Sequence, residues 1–192
     1  MYYDSQRKLA FVMPPRTGTT MFETLLKQWA IPSVGQNKHL KPSEVQLDGM
    51  EQYTIYGFFR DPIDRFLSML RHMQQKYGTW EKLTTDIGLS TEELRALNYD
   101  QLLDLYPKYQ NTFPFYFHGQ TEWLANAQLL NYRNYVPEIL RVARMLNQTQ
   151  VYVGVMNETD SSGAAPSQRV IDFVQSQYAD DYRLGRERGL LV

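Results

Sequence analysis

The chain contains no cysteine among its 192 residues, which excludes a disulfide framework and a cysteine-based zinc site. It also has no excess of charge of either sign, because its 20 basic and 21 acidic side chains give a formal net charge of only −1. Proteins that coat nucleic acid or an anionic membrane normally have an excess of basic residues. We therefore expect no nucleic-acid partner, and any anion-binding site has to be local.

Long hydrophobic runs are missing as well. Near the N-terminus only residues 9–13 form a continuous apolar stretch, which is too short for a signal-peptide core or a membrane span. Hydrophobic residues still make up 43% of the chain, enough to build one core at this length. We expect a single domain over residues 1–192, without a membrane span and cytoplasmic.

Two segments have the pattern of a strand followed by a turn and a helix. Residues 8–13 form an apolar run that stops at two prolines, and apolar positions then recur at helical spacing over residues 19–29. Residues 53–59 are aromatic and β-branched, as in strands. Asp61 and Pro62 follow as helix N-cap and first helical residue, and this helix is expected to reach residues 77–78.

The rest of the chain predicts further alternation of helices and strands. Helices are expected near Ser43, after a capping box at residues 90–93, over 99–106 ending at Pro107, and over 137–146, 167–177 and 179–187. Strands are expected over residues 127–132 and 151–155, with a loop over 157–167 and either a strand or a packed loop over 113–117. This alternation predicts an α/β fold with a central parallel sheet flanked by helices. Ligands bind such sheets beyond the carboxyl ends of the strands.

The first turn, PPRTGTT at residues 14–20, has the composition of a phosphate cradle. Gly18 permits a tight turn and a close approach of the backbone, and the first N–H groups of the next helix favour an anion. Thr17, Thr19 and Thr20 add hydroxyl donors, and Arg16 adds a fixed charge. The alternative is an ordinary N-capped helix with a solvated arginine.

A nucleoside-triphosphatase loop fits this turn poorly. That loop requires a glycine several residues before Gly18 and a lysine after it, and the chain has neither. We also find no apolar strand that ends in an aspartate placed to hold magnesium. A nucleotide kinase is disfavoured but stays open as an alternative.

The second turn, RDPIDRFLS at residues 60–68, places Arg60 at the strand end and Ser68 about two turns into the helix. A guanidinium and a hydroxyl together suit a terminal phosphate monoester. For Arg65 we favour a surface ion pair with Asp61 or Asp64.

Together these turns resemble the nucleotide motifs of the sulfotransferases that use 3′-phosphoadenosine 5′-phosphosulfate (PAPS). FVMPPRTGTT resembles the family's 5′-phosphosulfate loop, and RDPIDRFLS resembles its 3′-phosphate motif. The segments NKHL at 37–40, QTEWL at 120–124 and YADDYRL at 178–184 resemble patterns of the carbohydrate 2-O-sulfotransferases and their small bacterial relatives. Arg16 departs from the usual lysine, and Arg133 stands where many relatives have glutamate.

The resemblance implies a P-loop-like sulfotransferase fold that takes a sulfuryl group from PAPS to a hydroxyl acceptor, a carbohydrate or small molecule, and releases PAP without a metal. Gly18, Thr19 and Thr20 would hold the 5′-phosphate, and Arg60 and Ser68 the 3′-phosphate. Arg16 would contact the bridging oxygen, where negative charge develops. Among the three histidines, His39 is the predicted general base, with Glu23 as its substitute. A PAP-binding module without turnover remains an alternative.

Overall fold

The two predicted strand–turn–helix segments form the centre of the sheet. The structure is a computed structural model that describes residues 1–77, 87–151 and 165–191. The strand predicted over residues 151–155 and the loop over 157–167 lie almost wholly outside the described residues. The strands and helices are β1 (Tyr2–Asp4), β2 (Leu9–Val12), α1 (Thr19–Gln28), β3 (Thr54–Phe59), α2 (Pro62–His72), α3 (Thr91–Ala96), α4 (Tyr99–Asp104), α5 (Tyr106–Thr112), α6 (Thr121–Leu124), β4 (Gln128–Asn131), α7 (Tyr135–Met145), α8 (Gln168–Gln177) and α9 (Ala179–Glu187).

The sheet has four strands in the order β1–β2–β3–β4. The pairs β2–β3 and β3–β4 are parallel, as the alternation of strands and helices predicts, whereas β1 pairs with β2 in the antiparallel direction. The α/β class and the largely parallel sheet flanked by helices are therefore confirmed. Because β2, β3 and β4 run in one direction, their carboxyl ends meet at the same edge of the sheet.

The described contacts group the chain into two compact units. The first unit comprises Met1–Asp61, Gln120–Asn157 and Arg183–Val192, and the second comprises Pro62–Gly119 and Glu158–Tyr182. The whole sheet lies in the first unit. Whether residues 1–192 form a single domain stays a prediction.

In the first unit, alternate side chains of each strand enter cores on opposite faces of the sheet, as the period of two in a strand requires. On one face Phe11 and Phe58 pack against α1 and α7. On the other face Val12 and Phe59 pack with Trp123 and Leu124 of α6. Aromatic contacts such as Phe22 with Phe58, at a centroid distance of 5.3 Å, reinforce the first of these cores.

The second unit is helical and has its own core. The apolar faces of α2, α4, α5 and α8 meet there, with Phe66, Leu102 and Val170 fully buried. Short helical turns complete the described chain at Pro42–Glu44, Met50–Gln52, Met73–Tyr77, Pro114–Phe117 and Tyr132–Asn134. In the described part of the chain, no helix has the length and apolar character needed to cross a bilayer.

Candidate functional site: a glycine turn and a partly buried histidine

The turn between β2 and α1 is held in a conformation that few sequences adopt. Arg16 has φ 65° and Gly18 has φ 77°, so two of three successive residues lie in the left-handed region. The Thr17 hydroxyl donates to the Pro14 carbonyl at 2.8 Å, and Thr17 is almost completely buried. Gly18 is the N-cap of α1 and supplies no side-chain hydrogen bond, so the first N–H groups of the helix are not capped by this residue, and helix N-termini of this kind favour anions.

Tyr135 of α7 closes one side of this loop. Its hydroxyl donates to the Gly18 carbonyl at 2.7 Å, and a Cβ atom placed on Gly18 would lie only 2.5 Å from its ring. Burial, followed by the nearby Tyr132, raises the pKa of the Tyr135 hydroxyl far above its ordinary value of 10. The hydroxyl therefore stays protonated and remains a donor to the loop.

Gly18→Ala should destabilise the protein more than Gly189→Ala. Both glycines have positive φ, 77° and 67°, so alanine suffers similar backbone strain at each. Among the described residues no heavy atom lies within 4 Å of a Cβ at Gly189, whereas at Gly18 the Tyr135 ring must move. In urea unfolding, Gly18→Ala should lower the free energy of unfolding by about 1–3 kcal/mol more than Gly189→Ala does. Equal losses would mean that Tyr135 does not close the loop.

Arg60 connects the end of β3 to this loop. Its Nη1 donates to the carbonyl oxygen of Arg16 at 3.1 Å, and its guanidinium lies 4.6 Å from the centroid of the Tyr132 ring. The fold thus brings the two predicted anion-binding arginines together at the carboxyl edge of the sheet. The side-chain amide of Gln120 pairs with the Arg60 backbone, accepting from its N–H at 3.0 Å and donating to its carbonyl at 2.8 Å.

His39 packs against the carboxyl end of β2. Its Nδ1 lies 2.6 Å from the carbonyl oxygen of Met13. Because a carbonyl only accepts hydrogen bonds, Nδ1 carries the proton, and the neutral ring has its lone pair on Nε2. Burial, against the opposing effect of the Met13 hydrogen bond, lowers the pKa of His39 to about 4, and the charge of Lys38 adds to this. His39 is therefore neutral near pH 7 and has the tautomer of a general base.

Glu23, the substitute base, is held by two lysines. Its carboxylate oxygens lie 2.8 Å from the Nζ atoms of Lys27 and Lys38, and the Tyr2 hydroxyl donates to it at 3.2 Å. Burial raises the pKa of Glu23, but the hydrogen bonds and charges of the lysines outweigh burial and bring the pKa to about 2. A carboxylate with so low a pKa is a weak proton acceptor. The role that the geometry gives Glu23 is to hold the ammonium of Lys38, the residue next to His39.

Ser68 lies in the second unit, buried on α2. Its predicted cooperation with Arg60 of the first unit stays a prediction. The surface position predicted for Arg65 is wrong: its side chain is only 1% exposed, 4.0 Å from the equally buried Asp181. Its Nη2 donates to the carbonyls of Tyr116 and His118 at 3.2 and 2.9 Å, so its charge is used inside this unit.

The first unit therefore contains the loop residues Arg16, Thr17, Gly18, Thr19 and Thr20, together with Arg60, His39 and Glu23. Four further residues support them: Gln120 and Trp123, which the sequence indicated only as part of the QTEWL pattern, and Tyr132 and Tyr135, for which it predicted no role. No protein-family model, no curated protein and no solved structure matches the chain.

Proposed function

We propose that the protein is a sulfotransferase with a P-loop-like sulfotransferase fold, which transfers a sulfuryl group from PAPS to a hydroxyl acceptor and releases PAP. The observation that carries the proposal is the hydrogen bond between His39 Nδ1 and the Met13 carbonyl, at 2.6 Å. It fixes a neutral imidazole, with its lone pair on Nε2, against the residue that directly precedes the turn at residues 14–20, whose composition suits a phosphate. Such a pair of features suits a group transfer from an anionic donor to a protonated nucleophile.

The two phosphates of PAPS match hydrogen-bond donors that the first unit supplies. The N-terminus of α1, left without a side-chain cap by Gly18, suits the 5′-phosphate. Arg60 supplies a planar guanidinium for the 3′-phosphate and is already tied to the loop through the Arg16 carbonyl. Glycine is required at position 18 by its positive φ of 77° and by the Tyr135 ring, which lies 2.5 Å from the place of a Cβ atom, so the turn keeps this conformation.

The proposed chemistry is an in-line displacement at sulfur. His39 Nε2 takes the proton of the acceptor hydroxyl while the acceptor oxygen forms its bond to sulfur. The bond from sulfur to the bridging oxygen breaks, and its electron pair stays on that oxygen, which becomes part of the 5′-phosphate of PAP. Arg16 stabilises this developing charge, an effect stronger in the transition state than in the ground state. As in phosphoryl transfer, catalysis rests mainly on positioning and charge.

PAP is expected to raise the melting temperature of the protein in proportion to the logarithm of its concentration above Kd. Adenosine 5′-monophosphate should raise it much less, because it lacks the 3′-phosphate that Arg60 is proposed to bind. The Arg60→Ala variant should lose the advantage of PAP, whereas Arg141→Ala, the same change of charge at an exposed position of α7, should keep it. Equal shifts from the two nucleotides would contradict the 3′-phosphate assignment.

Turnover separates the proposal from a binding module. A competent site should convert PAPS slowly to PAP without an acceptor, since water can replace the hydroxyl. A panel of sugars, phenols and small alcohols then identifies the acceptor class. PAP binding with no release of sulfate or sulfated product would make the protein a nucleotide-binding module, and magnesium-dependent ATP binding in place of PAP binding would make it a nucleotide kinase.

A further inference from the structure

The segment Gln120 to Leu124, which includes the short helix α6, contacts both predicted functional groups of the first unit. We propose that Gln120 and Trp123 are positioning residues, Gln120 for Arg60 and Trp123 for His39. The inference rests on the proposed function, because it assigns these two residues to the same site. It also gives the QTEWL pattern a physical role, which the roles proposed for the two nucleotide loops and for His39 do not include.

Gln120 replaces a neighbouring strand where β3 ends. The last pair of residues that β3 and β4 align is Phe59 with Asn131, so Arg60 lies one residue beyond the sheet. The Gln120 amide accepts from the Arg60 N–H at 3.0 Å and donates to the Arg60 carbonyl at 2.8 Å. Gln120 is fully buried, so water does not compete for these two hydrogen bonds. They fix the backbone from which the Arg60 guanidinium reaches the Arg16 carbonyl.

Trp123 holds the backbone of His39. Its indole N–H donates to the His39 carbonyl at 2.8 Å, and the indole is buried in the core behind the sheet. The adjacent segment is held in the same place, since the ammonium of Lys41 lies 5.5 Å from the centroid of the Trp123 ring and pairs with Glu122. Together, the Trp123 hydrogen bond and the contact between Nδ1 and Met13 hold His39 by its backbone and by its ring.

These contacts come from residues three apart on one helical turn. The same turn therefore sets the position of Arg60, proposed to hold the nucleotide, and of His39, proposed to take the proton. Small displacements of a positioned group reduce the rate steeply, because group transfer depends on alignment of the reacting atoms. Each contact nevertheless involves a different hydrogen-bonding group, so the two roles can be separated by substitution.

Trp123→Phe tests the role assigned to Trp123, since it removes the indole donor and keeps an aromatic, although smaller, ring in the core. We expect the ¹⁵N resonances of the His39 ring and the pH at which the ring titrates to change. The charged groups that face His39, namely Lys38, Glu23 and the Met1 amino group, stay the same in this variant, so the change would come from the lost indole donor. We expect kcat to fall about 5- to 10-fold, the effect of one hydrogen bond, with the Kd of PAP unchanged. An unchanged His39 spectrum would overturn the role of Trp123.

Gln120→Met tests the other role, since it keeps the side-chain length and removes both hydrogen bonds. We expect the Arg60 amide to lose its protection from hydrogen exchange and the Kd of PAP to rise about 10-fold. The His39 ring resonances should stay as in the wild type. If this variant does not fold, Gln120→Glu gives the same comparison, because its carboxylate keeps an acceptor for the Arg60 N–H and, when ionised, cannot donate to the Arg60 carbonyl.

The decisive result is that each variant changes only its own partner: Trp123→Phe changes His39, and Gln120→Met changes Arg60. A purely structural role would make both variants change His39, Arg60 and the melting temperature together, and that outcome overturns the inference. The exchange of the Arg60 amide and the spectrum of His39 need neither nucleotide nor turnover. A wild-type protein that does not bind PAP would therefore contradict the proposed function, while these two measurements still decide whether Gln120 and Trp123 position Arg60 and His39.

Discussion

The His39→Ala variant is expected to lose about 100-fold or more in kcat, the scale of a missing general base. The reason is the tautomer: Nδ1 donates to the Met13 carbonyl, so the lone pair that accepts a proton is on Nε2. The Kd of PAP should stay nearly unchanged, because the phosphate contacts are assigned to the α1 loop and Arg60. Steady-state kinetics with an identified acceptor and calorimetric titration with PAP measure the two quantities.

The pH dependence of the wild type provides a second measurement of the same assignment. Burial lowers the pKa of His39 to about 4, so kcat/KM should rise with pH through an apparent pKa near 4 and stay level through neutral pH. This limb should be missing in His39→Ala. The unfolded state binds the proton more readily, so the contribution of His39 to stability is complete above about pH 6.5 and is lost as the pH falls toward 4.

A matched control is available in His72, which lies on α2 with its ring 5.8 Å from that of Tyr116. His72→Ala removes the same side chain type and should leave kcat within about 3-fold of the wild type. Full activity in His39→Ala would contradict the assignment and transfer attention to Glu23. With a pKa of about 2, Glu23 would have to act while paired with Lys27 and Lys38, which makes it the weaker candidate.

The elements around the site could be predicted because their signals are local. The apolar run before two prolines predicted β2, and the aromatic run before Arg60 predicted β3, each within one residue of the observed bounds at its carboxyl end. The three-residue β1 gave no comparable signal, since it is formed by antiparallel pairing with β2. Pro107 was expected to end a helix, whereas it lies in the first turn of α5, where proline is equally well tolerated.

The loop and the base were predictable as residue types, but their supports were not. Tyr135 contacts Gly18 across 117 residues of sequence, and Trp123 contacts His39 across 84. No local pattern encodes such pairs, because they depend on how the strands are ordered in the sheet. Arg65 failed for a related reason: the helical spacing placed it near two aspartates, but only the packing of the second unit shows that its position is buried.

Arg16→Ala should reduce kcat by about 100- to 1000-fold while changing the Kd of PAP little, because its charge is matched to an oxygen that becomes negative only during transfer. Arg60→Ala should do the reverse. Loss of its contact with a phosphate that is charged throughout weakens PAP binding by about 2 kcal/mol or more, with a smaller effect on kcat. The two substitutions thus distinguish stabilisation of the transition state from binding of the ground state.

The structure makes this comparison a fair one. Arg60 donates to the backbone carbonyl of Arg16, so Arg16→Ala removes the Arg16 guanidinium but leaves the acceptor that Arg60 uses. Alanine also inherits the left-handed conformation at φ 65°, so melting temperatures must accompany the kinetics. Arg16→Lys keeps a cation and should recover part of kcat. If Arg16→Ala instead raised the Kd of PAP with kcat intact, Arg16 would be a ground-state phosphate ligand and its role at the bridging oxygen would have to be abandoned.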